Sequence, residues 1–510
     1  MGLPNITFNY GKGGLGRGLA GSDYISGIMY VNSSLPSGFD SNNRIKKVFS
    51  LEEAVNLGID NLYTDETKST STYSVTTKAA VGDVLTLTYT GISGVAIKLV
   101  DAYTFVTGDD TTVTTSATAI KNQINLGTSV HGFSASSAVG VVTITCKAGE
   151  GVFPNSGTPY AATATGSLVA TLVQNVVAGV ASKRAVEWYH ISEFFRLQPQ
   201  GVLYVAYYSS YAATNVDLVQ NFAQGEIRQL AVNHDFSTAF ATSIVTGLQA
   251  RATALQALYK PLSIIHNPEI SGTSALSALV DLTGLASKNV SVSIGQDGAG
   301  YGYYLWKATG KSIGSLGAVL GAESYAKVGE SIAWVGKFNM SNGNELDTLM
   351  FGINASGTNV LYNAVADSQL TTLNAYGYEF LRKLIGITGS YNTPPVTCTL
   401  ASSDYHTRYA NRVIDKATRV VRTGLLPDLS SPVQLNSDGT MANTVVAFLE
   451  SEAGQFLEQM VRDGELSRFK VTINPAQNVL TSNKITVTVK LLPIGVADFI
   501  EVNIGFTTNI

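Results

Sequence analysis

The end of this chain constrains its fold most, because an apolar strand pattern stands where chains usually fray. Residues 499–506 place Ile500, Val502, Ile504 and Phe506 on one face at a period of two. Chain termini fray because few contacts hold them, and an unpaired apolar strand promotes aggregation. The pattern therefore predicts a strand that pairs with a sheet of its own chain or with a sheet of another copy. The residues alone leave both pairings open.

The composition indicates a folded protein with an unusually uncharged surface. The chain has 510 residues, enough for roughly two to four domains. Charged residues make up 14%, against about 25% in typical soluble domains. This favours either a surface covered by neighbouring molecules or the Thr-rich surface of a β-rich secreted protein. The net charge of -4 gives no reason to expect nucleic acid binding.

The order of elements predicts an α/β (α+β) core, with a mixed sheet flanked by helices, and a small inserted β domain. Strands and helices alternate before residue 67 and after residue 181, whereas the stretch between them is dense in Thr, Ser, Val and Gly with short alternating runs. The predicted regions are an N-terminal arm at 1–22, a main α/β domain at 23–67 and 181–395, an inserted all-β sandwich-like domain at 68–180, and a C-terminal domain at 396–510 that ends in the terminal strand.

Several helices have clear sequence signals. Ser50 is a predicted N-cap with an acid three residues later. Longer helices are predicted at 236–258, at 403–425 and, with an acidic character, at 445–463. The start of the chain lacks a basic segment followed by an apolar core, which predicts no secretory signal and folding in a cytoplasm. No apolar run approaches about eighteen residues, so no membrane span is predicted.

The sequence predicts no enzyme, no metal site and no cofactor. Residues 11–16 formally match the dinucleotide pattern G-x-G-x-x-G, but no helix is predicted to follow, which favours a flexible or neighbour-clasping arm. The two cysteines form no disulfide framework, and no catalytic triad or carboxylate pair is evident. The histidines are scattered without metal-ligand spacing, at His131, His190, His234, His266 and His406.

A basic stripe is the most prominent charged feature. On the helix predicted at 403–425, five cations fall within about a third of the circumference: Arg408, Arg412, Lys416, Arg419 and Arg422. Such a stripe is either a solvated helix face or a surface for an acidic partner, because few acids lie near it. The helix predicted at 445–463 could supply that partner in the same chain or in a neighbouring copy, through Glu450, Glu452, Glu458 and Asp463.

Both ends of the chain resemble contractile phage tail sheath proteins, the sheath-like family of contractile injection systems. The resemblance rests on short segments and covers about residues 1–60 and 185–510. The insert resembles small β domains that decorate phage tail proteins. The segments are Gly-Gly-Leu-Gly-Arg at 13–17, Ser-Asp-Tyr-Ile-Ser-Gly at 22–27, Val-Phe-Ser-Leu-Glu-Glu-Ala at 48–54, Asn-Arg-Val-Ile-Asp-Lys-Ala at 411–417, Arg-Thr-Gly-Leu-Leu-Pro at 422–427, residues 473–480 and residues 495–500.

The resemblance implies a structural subunit of a virion. Sheath subunits stack as rings around an inner tube, and terminal arms that add strands to neighbouring sheets join them. Contraction drives the tube through a cell envelope. The implied partners are other copies in a helical assembly, the tail tube protein, the baseplate and the tail terminator, with no nucleic acid and no stable membrane insertion. Assembly would take place in the host cytoplasm.

The resemblance also suggests roles for particular residues. The expected intersubunit arms contain Gly13, Gly14, Leu15, Arg17, Ile500, Val502, Ile504 and Phe506. The five cations of the basic stripe are the expected tube-facing residues. The alternative function is a β-rich virion adhesin or surface-layer protein that binds through residues 68–180.

Overall fold

The computed structural model describes residues 22–355, 358–502 and 504–506. Its strands are β1 (Ile25–Val31), β2 (Ile45–Val48), β3 (Thr70–Thr77), β4 (Val84–Thr90), β5 (Ala96–Thr104), β6 (Ser134–Ala138), β7 (Val141–Thr145), β8 (Tyr160–Ala164), β9 (Val169–Val177), β10 (Val202–Tyr208), β11 (Gln229–Asn233), β12 (Ser263–Asn267), β13 (Val290–Ser293), β14 (Gly295–Asp297), β15 (Leu349–Ala355), β16 (Thr358–Leu361), β17 (Tyr378–Glu379), β18 (Leu381–Arg382), β19 (Tyr391–Asn392), β20 (Leu466–Ile473) and β21 (Val487–Pro493).

The α-helices connect these strands and cover the sheets. They are α1 (Leu51–Asn56), α2 (Val113–Leu126), α3 (Thr128–His131), α4 (Lys183–Leu197), α5 (Asn215–Phe222), α6 (Thr242–Ala257), α7 (Tyr301–Thr309), α8 (Leu316–Tyr325), α9 (Asp367–Ala375), α10 (Arg408–Leu425), α11 (Asn443–Arg462) and α12 (Val479–Ser482).

A seven-stranded mixed sheet forms the centre of the molecule. Its strand order is β17-β13-β12-β11-β1-β10-β2, and all neighbours are parallel except β2, which pairs antiparallel with β10. Every residue of β1 and β10 is buried. Strands buried on both faces are typical of parallel sheets covered by helices. The mixed α/β class predicted from the alternation of elements is confirmed.

Helices cover both faces of this sheet. One face of β1 and β10, through Ile28 and Val205, packs against α4 and α8. The opposite face, through Met29 and Tyr204, packs against α5, α6 and α9. Ser50 caps α1 as predicted, since its side chain accepts a hydrogen bond from the Glu53 amide. The result is three layers, with the sheet between two layers of helices and one apolar core on each face of the sheet.

Two glycines allow α4 and α8 to meet backbone to backbone. A β-carbon added to Gly317 would lie 2.0 Å from the carbonyl oxygen of His190, and one added to Gly321 would lie 2.7 Å from that of Phe194. Both pairs are spaced by four residues, so each lies on one face of its helix. Any side chain at these positions would therefore force the helices apart.

We predict that Gly317→Ala lowers the free energy of unfolding by about 2 to 3 kcal/mol, because overpacking a buried contact strains both helices. Gly284→Ala is the matched control: its added β-carbon meets no atom within 4 Å, so its effect should stay below about 0.5 kcal/mol. Urea unfolding followed by circular dichroism measures both. Equal stability of the two variants would contradict the close contact.

Residues 70–177 form two antiparallel sheets around a core of their own. Their strand orders are β6-β7-β3-β9 and β5-β4-β8, and α2 contributes to the same core. The chain enters and leaves through a bridge between Thr67 and Val180. The Glu66 carboxylate accepts hydrogen bonds from the amides of Gly149 and Gly151. The Val152 amide also donates to the carbonyl of Ala308 in α7, which joins the base of this region to the core.

Residues 408–493 contain a pair of helices and a β-hairpin. Helix α11 packs against α10 and against β20, and β20 pairs antiparallel with β21. A small apolar core lies between them and includes Val413, Leu457 and Leu466. Gly424 lets the helices approach closely, since its added β-carbon would lie 2.5 Å from the Glu452 carbonyl oxygen.

Two predicted helices begin later than expected. The helix predicted from 403 begins at Arg408, because Val396 bridges to Thr407 and the Arg408 amide donates to the Pro395 carbonyl. The helix predicted from 236 begins at Thr242, since the Phe236 amide donates to the side chain of His234 in a turn. In both cases hydrogen bonds to residues outside the helix hold the preceding backbone in a non-helical conformation.

The strand predicted at 499–506 pairs with no sheet of its own chain among the described residues, and its pairing with another copy stays a prediction. After Pro493 the described residues, up to 502 and at 504–506, have no regular secondary structure. The apolar alternation is present, but a strand also needs a neighbour to bond its backbone groups.

Candidate assembly site

The structure corrects the prediction of an unpaired basic stripe. Four of its five cations make ion pairs within the chain, and Arg408 and Arg412 are only 1% and 4% exposed. Buried side chains cannot contact a separate tube in this conformation. The fifth cation, Arg422, lies over the ring of Tyr259 at 4.1 Å from its centre. The stripe therefore faces the main domain.

Arg408 is at the centre of this contact. Its guanidinium donates to Glu323 at 2.9 Å and to Glu379 at 2.6 and 3.1 Å. Glu323 also accepts from Arg412 at 2.9 Å. These cations hold the pKa of the Glu323 carboxyl below its usual range, although burial opposes them. Helix α10 is thus joined to α8 and to β17 by charges that water does not reach.

A second group of charges continues along α10. The Lys416 ammonium lies between two carboxylates, 2.7 Å from Asp23 and 2.6 Å from Glu465. Asp23 also accepts from Arg419 at 2.9 Å. Asp23 precedes β1, and Glu465 precedes β20. One lysine therefore ties the start of the main sheet to the start of the C-terminal hairpin.

Asp415 is the exception in this network. It is buried, and its carboxylate makes no ion pair with the part of the chain that the structure describes. Burial raises its pKa to about 6, and the more distant cations Arg419, Lys288 and Arg228 offset this only in part. The charged form of Asp415 therefore destabilises the fold at neutral pH.

We predict that Arg408→Met lowers the free energy of unfolding by about 3 to 5 kcal/mol, because it leaves two buried carboxylates without a cation. Arg251→Met is the matched control. Its partner Asp217 lies 3.2 Å away at a partly exposed site, and such pairs contribute less than about 1 kcal/mol. Chemical unfolding at pH 7 measures both, and similar losses in the two variants would contradict a central role for Arg408.

We predict that Asp415→Asn raises the free energy of unfolding by about 2 kcal/mol above pH 7. The acid binds its proton more tightly when folded, near pH 6, than when unfolded, near 3.8. The penalty of its charge is therefore fully present above pH 6 and vanishes as the pH falls through 6 to below 4. Unfolding curves from pH 4 to 8 test this, with Glu52→Gln on the exposed face of α1 as control. A pH-independent difference would contradict it.

The terminal segment exposes its apolar side chains. Ile500 is 82% exposed and Ile504 91% exposed, and Phe499, Val502 and Phe506 are exposed as well. Residues 494–498 and Ile500 border a cavity of about 670 Å³ beside the loop 327–336 and Arg382. A continuous exposed apolar segment is typical of a surface that another molecule covers. The other predicted arm residues, Gly13, Gly14, Leu15 and Arg17, lie outside the described residues.

The hairpin next to this segment has open edges. In the described part of the chain β20 pairs only with β21, and β21 only with β20. Its inner face packs on α11 through half-buried side chains that include Phe469 and Val489. Its outer face carries Arg468, Lys470 and Lys490, all exposed and outside the ion pairs of the described residues. The sequence signal for this face is the alternation of cations with apolar residues at 468–471 and 489–491.

Three of the five histidines and both cysteines are buried. Burial lowers the pKa of His190 to about 3 and those of His234 and His266 to about 4. Burial raises the pKa of the Cys146 thiol to about 11, and Cys398 is also buried and free. Among the described residues no group of His, Cys, Asp or Glu could hold a metal ion, and no helix there is long and apolar enough to cross a membrane.

Comparison with known proteins gives a partial family match. Residues 404–510, about a fifth of the chain, match the family described as DUF2586, C-terminal domain. This stretch contains α10, α11 and the hairpin. No curated protein matches the sequence.

Solved structures to which the chain is similar include sheaths of contractile injection systems, a baseplate of such a system and sheath tail proteins. The helical sheath of the anti-feeding prophage in its contracted state matches with a TM-score of 0.45 at 16% identity, over 63% of this chain and 81% of that chain. A chain of the anti-feeding prophage baseplate matches with a TM-score of 0.46 at 16% identity, over 66% and 85%. A sheath tail protein from Desulfitobacterium hafniense matches with a TM-score of 0.37 at 10% identity, over 96% and 100%.

Proposed function

We propose that this protein is a structural subunit of a contractile tail sheath. Subunits stack as rings around a tail tube, and contraction of the stack drives the tube through a host cell envelope. The observation that carries the proposal is that one chain contains both a hairpin with open edges and an exposed apolar segment at its end. The sequence resemblance at both ends supports the same function.

The physics of strand addition explains why these two features belong together. An added strand of about seven residues gains a few backbone hydrogen bonds, each contributing roughly 0.5 to 1.5 kcal/mol. Burial of each large apolar side chain adds about 1.5 to 3 kcal/mol, whereas ordering each backbone residue costs about 1 to 2 kcal/mol. A single connection is therefore weak, and the lattice gains its strength from many simultaneous connections.

The fold suits a subunit that transmits force. Buried ion pairs fix α10 on the main domain, so a pull on the hairpin reaches the central sheet through Arg408 and Lys416. We propose that the C-terminal unit faces the tube, and that the region 68–180 lies on the outside of the sheath as a separate domain. Other partners in this proposal are the tube protein, the baseplate and the tail terminator.

We predict that the double change Ile500→Ser and Ile504→Ser leaves the subunit folded but raises the concentration needed for tube formation at least a hundredfold. Both side chains are exposed in the single chain, so the core loses nothing. Negative-stain microscopy and sedimentation measure tube formation, and a thermal melt followed by circular dichroism verifies folding.

The matched control is Ile385→Ser, which removes an equally exposed isoleucine outside the terminal segment and should leave tube formation unchanged. Normal tubes from the double variant would rule out the terminal segment as a connector. Wild-type protein that stays monomeric at high concentration would rule out the sheath function.

A further inference from the structure

A cavity in the main domain has an aromatic wall. It measures about 290 Å³ and lies between α4 and the start of α7, where Trp188, Tyr189 and Tyr301 line it. The ring centre of Tyr301 is 5.8 Å from that of Trp188 and 6.0 Å from that of Tyr189, and its plane is steeply inclined to both. The face of an aromatic ring carries partial negative charge, so such a wall attracts a cation.

The charged side chains of this cavity leave one negative charge uncompensated. Glu193, Arg196 and Glu345 line it. Arg196 donates to both carboxylate oxygens of Glu193, at 2.8 and 2.5 Å, so these two charges cancel. Glu345 makes no ion pair with any residue that the structure describes, and its carboxylate accepts the Tyr301 amide at 2.9 Å. The lining therefore keeps one net negative charge.

A second carboxylate lies behind this wall. Asp297 is fully buried, and a β-carbon added to Gly300 would lie 2.8 Å from its Oδ2 and 2.7 Å from Oε2 of Glu345. The two acids thus flank the same glycine. Burial, and then the charge of Glu345, raise the pKa of Asp297 to about 6. A cation in the cavity would offset the repulsion between these two acids.

The Tyr189 hydroxyl lacks a partner at the same place. Tyr189 is 2% exposed, and its hydroxyl makes no hydrogen bond with the described part of the chain. A β-carbon added to Gly302 would lie 2.7 Å from this oxygen, and the Gly302 amide donates to Glu345 at 3.4 Å. The hydroxyl therefore lies at the start of α7, as the Glu345 carboxylate does. A buried tyrosine hydroxyl normally has a partner, and a ligand in the cavity would supply it.

We propose that this cavity binds an organic cation, an alkylammonium or guanidinium group. Its charge lies beside Glu345, one of its N–H groups donates to the Tyr189 hydroxyl oxygen, and its apolar part packs against Trp188 and Tyr301. A metal ion fits less well, because metal ions require several oxygen, nitrogen or sulfur ligands and no group of three such acids, histidines or cysteines exists among the described residues. The site does not depend on the sheath function.

The test is a calorimetric titration of the purified full chain with N-methylguanidinium chloride. N-methylurea is the neutral probe of the same shape, and sodium chloride holds the ionic strength constant. N-methylguanidinium should bind at least about tenfold more tightly than N-methylurea, because only the charged probe is attracted by the ring faces and by Glu345. Equal affinities, or no binding of either probe, would overturn the proposal.

Tyr189→Phe removes the hydroxyl alone and should weaken N-methylguanidinium binding about fivefold, since one hydrogen bond to a charged ligand is lost. The melting temperature should not fall, because the hydroxyl bonds to no described residue. Tyr211→Phe is the matched control. Its hydroxyl is likewise buried without a partner in the described chain, but it does not line the cavity, so the affinity should stay unchanged. A lower melting temperature with unchanged affinity in Tyr189→Phe would overturn the placement of the cation.

Glu345→Gln removes the uncompensated charge and should weaken binding at least about tenfold, because the remaining amide no longer attracts a cation as a carboxylate does. Glu52→Gln, at an exposed acid on α1, is the control and should bind as the wild type does. Circular dichroism verifies folding of both variants. Displacement of N-methylguanidinium by an equal concentration of calcium chloride would indicate a metal site and overturn the class of ligand.

Tryptophan fluorescence locates the bound probe. N-methylguanidinium should change the emission of the wild type but not that of Trp188→Phe, since Trp306 and Trp334 do not line the cavity. A full signal in Trp188→Phe would place the probe elsewhere and overturn the site.

Repeating the titration on assembled tubes distinguishes two sources of the cation. Loss of probe binding on assembly would show that a lysine or arginine of a neighbouring subunit fills the cavity, whereas retained binding would indicate a free amine, and both results support the site. Protein that binds the probe but forms no tubes would contradict the sheath function and leave this proposal intact.

Discussion

The buried contact of Arg408 with Glu323 and Glu379 is the interaction on which the rest of the C-terminal structure depends. It joins the first turn of α10 to a helix and a strand of the main domain. Because α11 packs on α10 and β20 packs on α11, this contact, together with the ion pairs of Lys416, positions α11 and the hairpin on the main domain. Its desolvation cost is large, and hydrogen bonds to both carboxylates offset much of it.

A group of charged side chains is buried between α10 and the main domain, where their ion pairs set the geometry of the contact. Charged residues are scarce overall, yet α10 directs four cations into the chain's own interior contacts. Buried ion pairs contribute little net stability compared with apolar packing. Their directional hydrogen bonds, however, favour one placement of α10 on the main domain.

The alternation of elements predicted the central layers correctly, since strands buried on both faces must be covered by helices. The capping signal at Ser50 placed α1, because cap chemistry acts within one turn. The starts of α6 and α10 were missed, because hydrogen bonds of Phe236 and Arg408 to residues outside those helices decide them. The apolar alternation of the terminal segment is a property of the sequence, but no described residue pairs with this segment, and its pairing with another copy stays a prediction.

The sequence by itself determined the class of fold, the helices with local caps and the amphipathic pattern of the terminal segment, since these depend on neighbours within a few residues. Only the tertiary structure decided where the charges of α10 point. A helical wheel shows that Arg408 and Lys416 share a face, but it cannot show that Glu379 and Asp23, distant in sequence, lie against that face. Which side chains are buried, and with which residues they form ion pairs, depends on contacts distant in sequence. The basic stripe of α10, which the sequence alone suggests is a surface for an acidic partner, therefore joins the C-terminal part to the main domain.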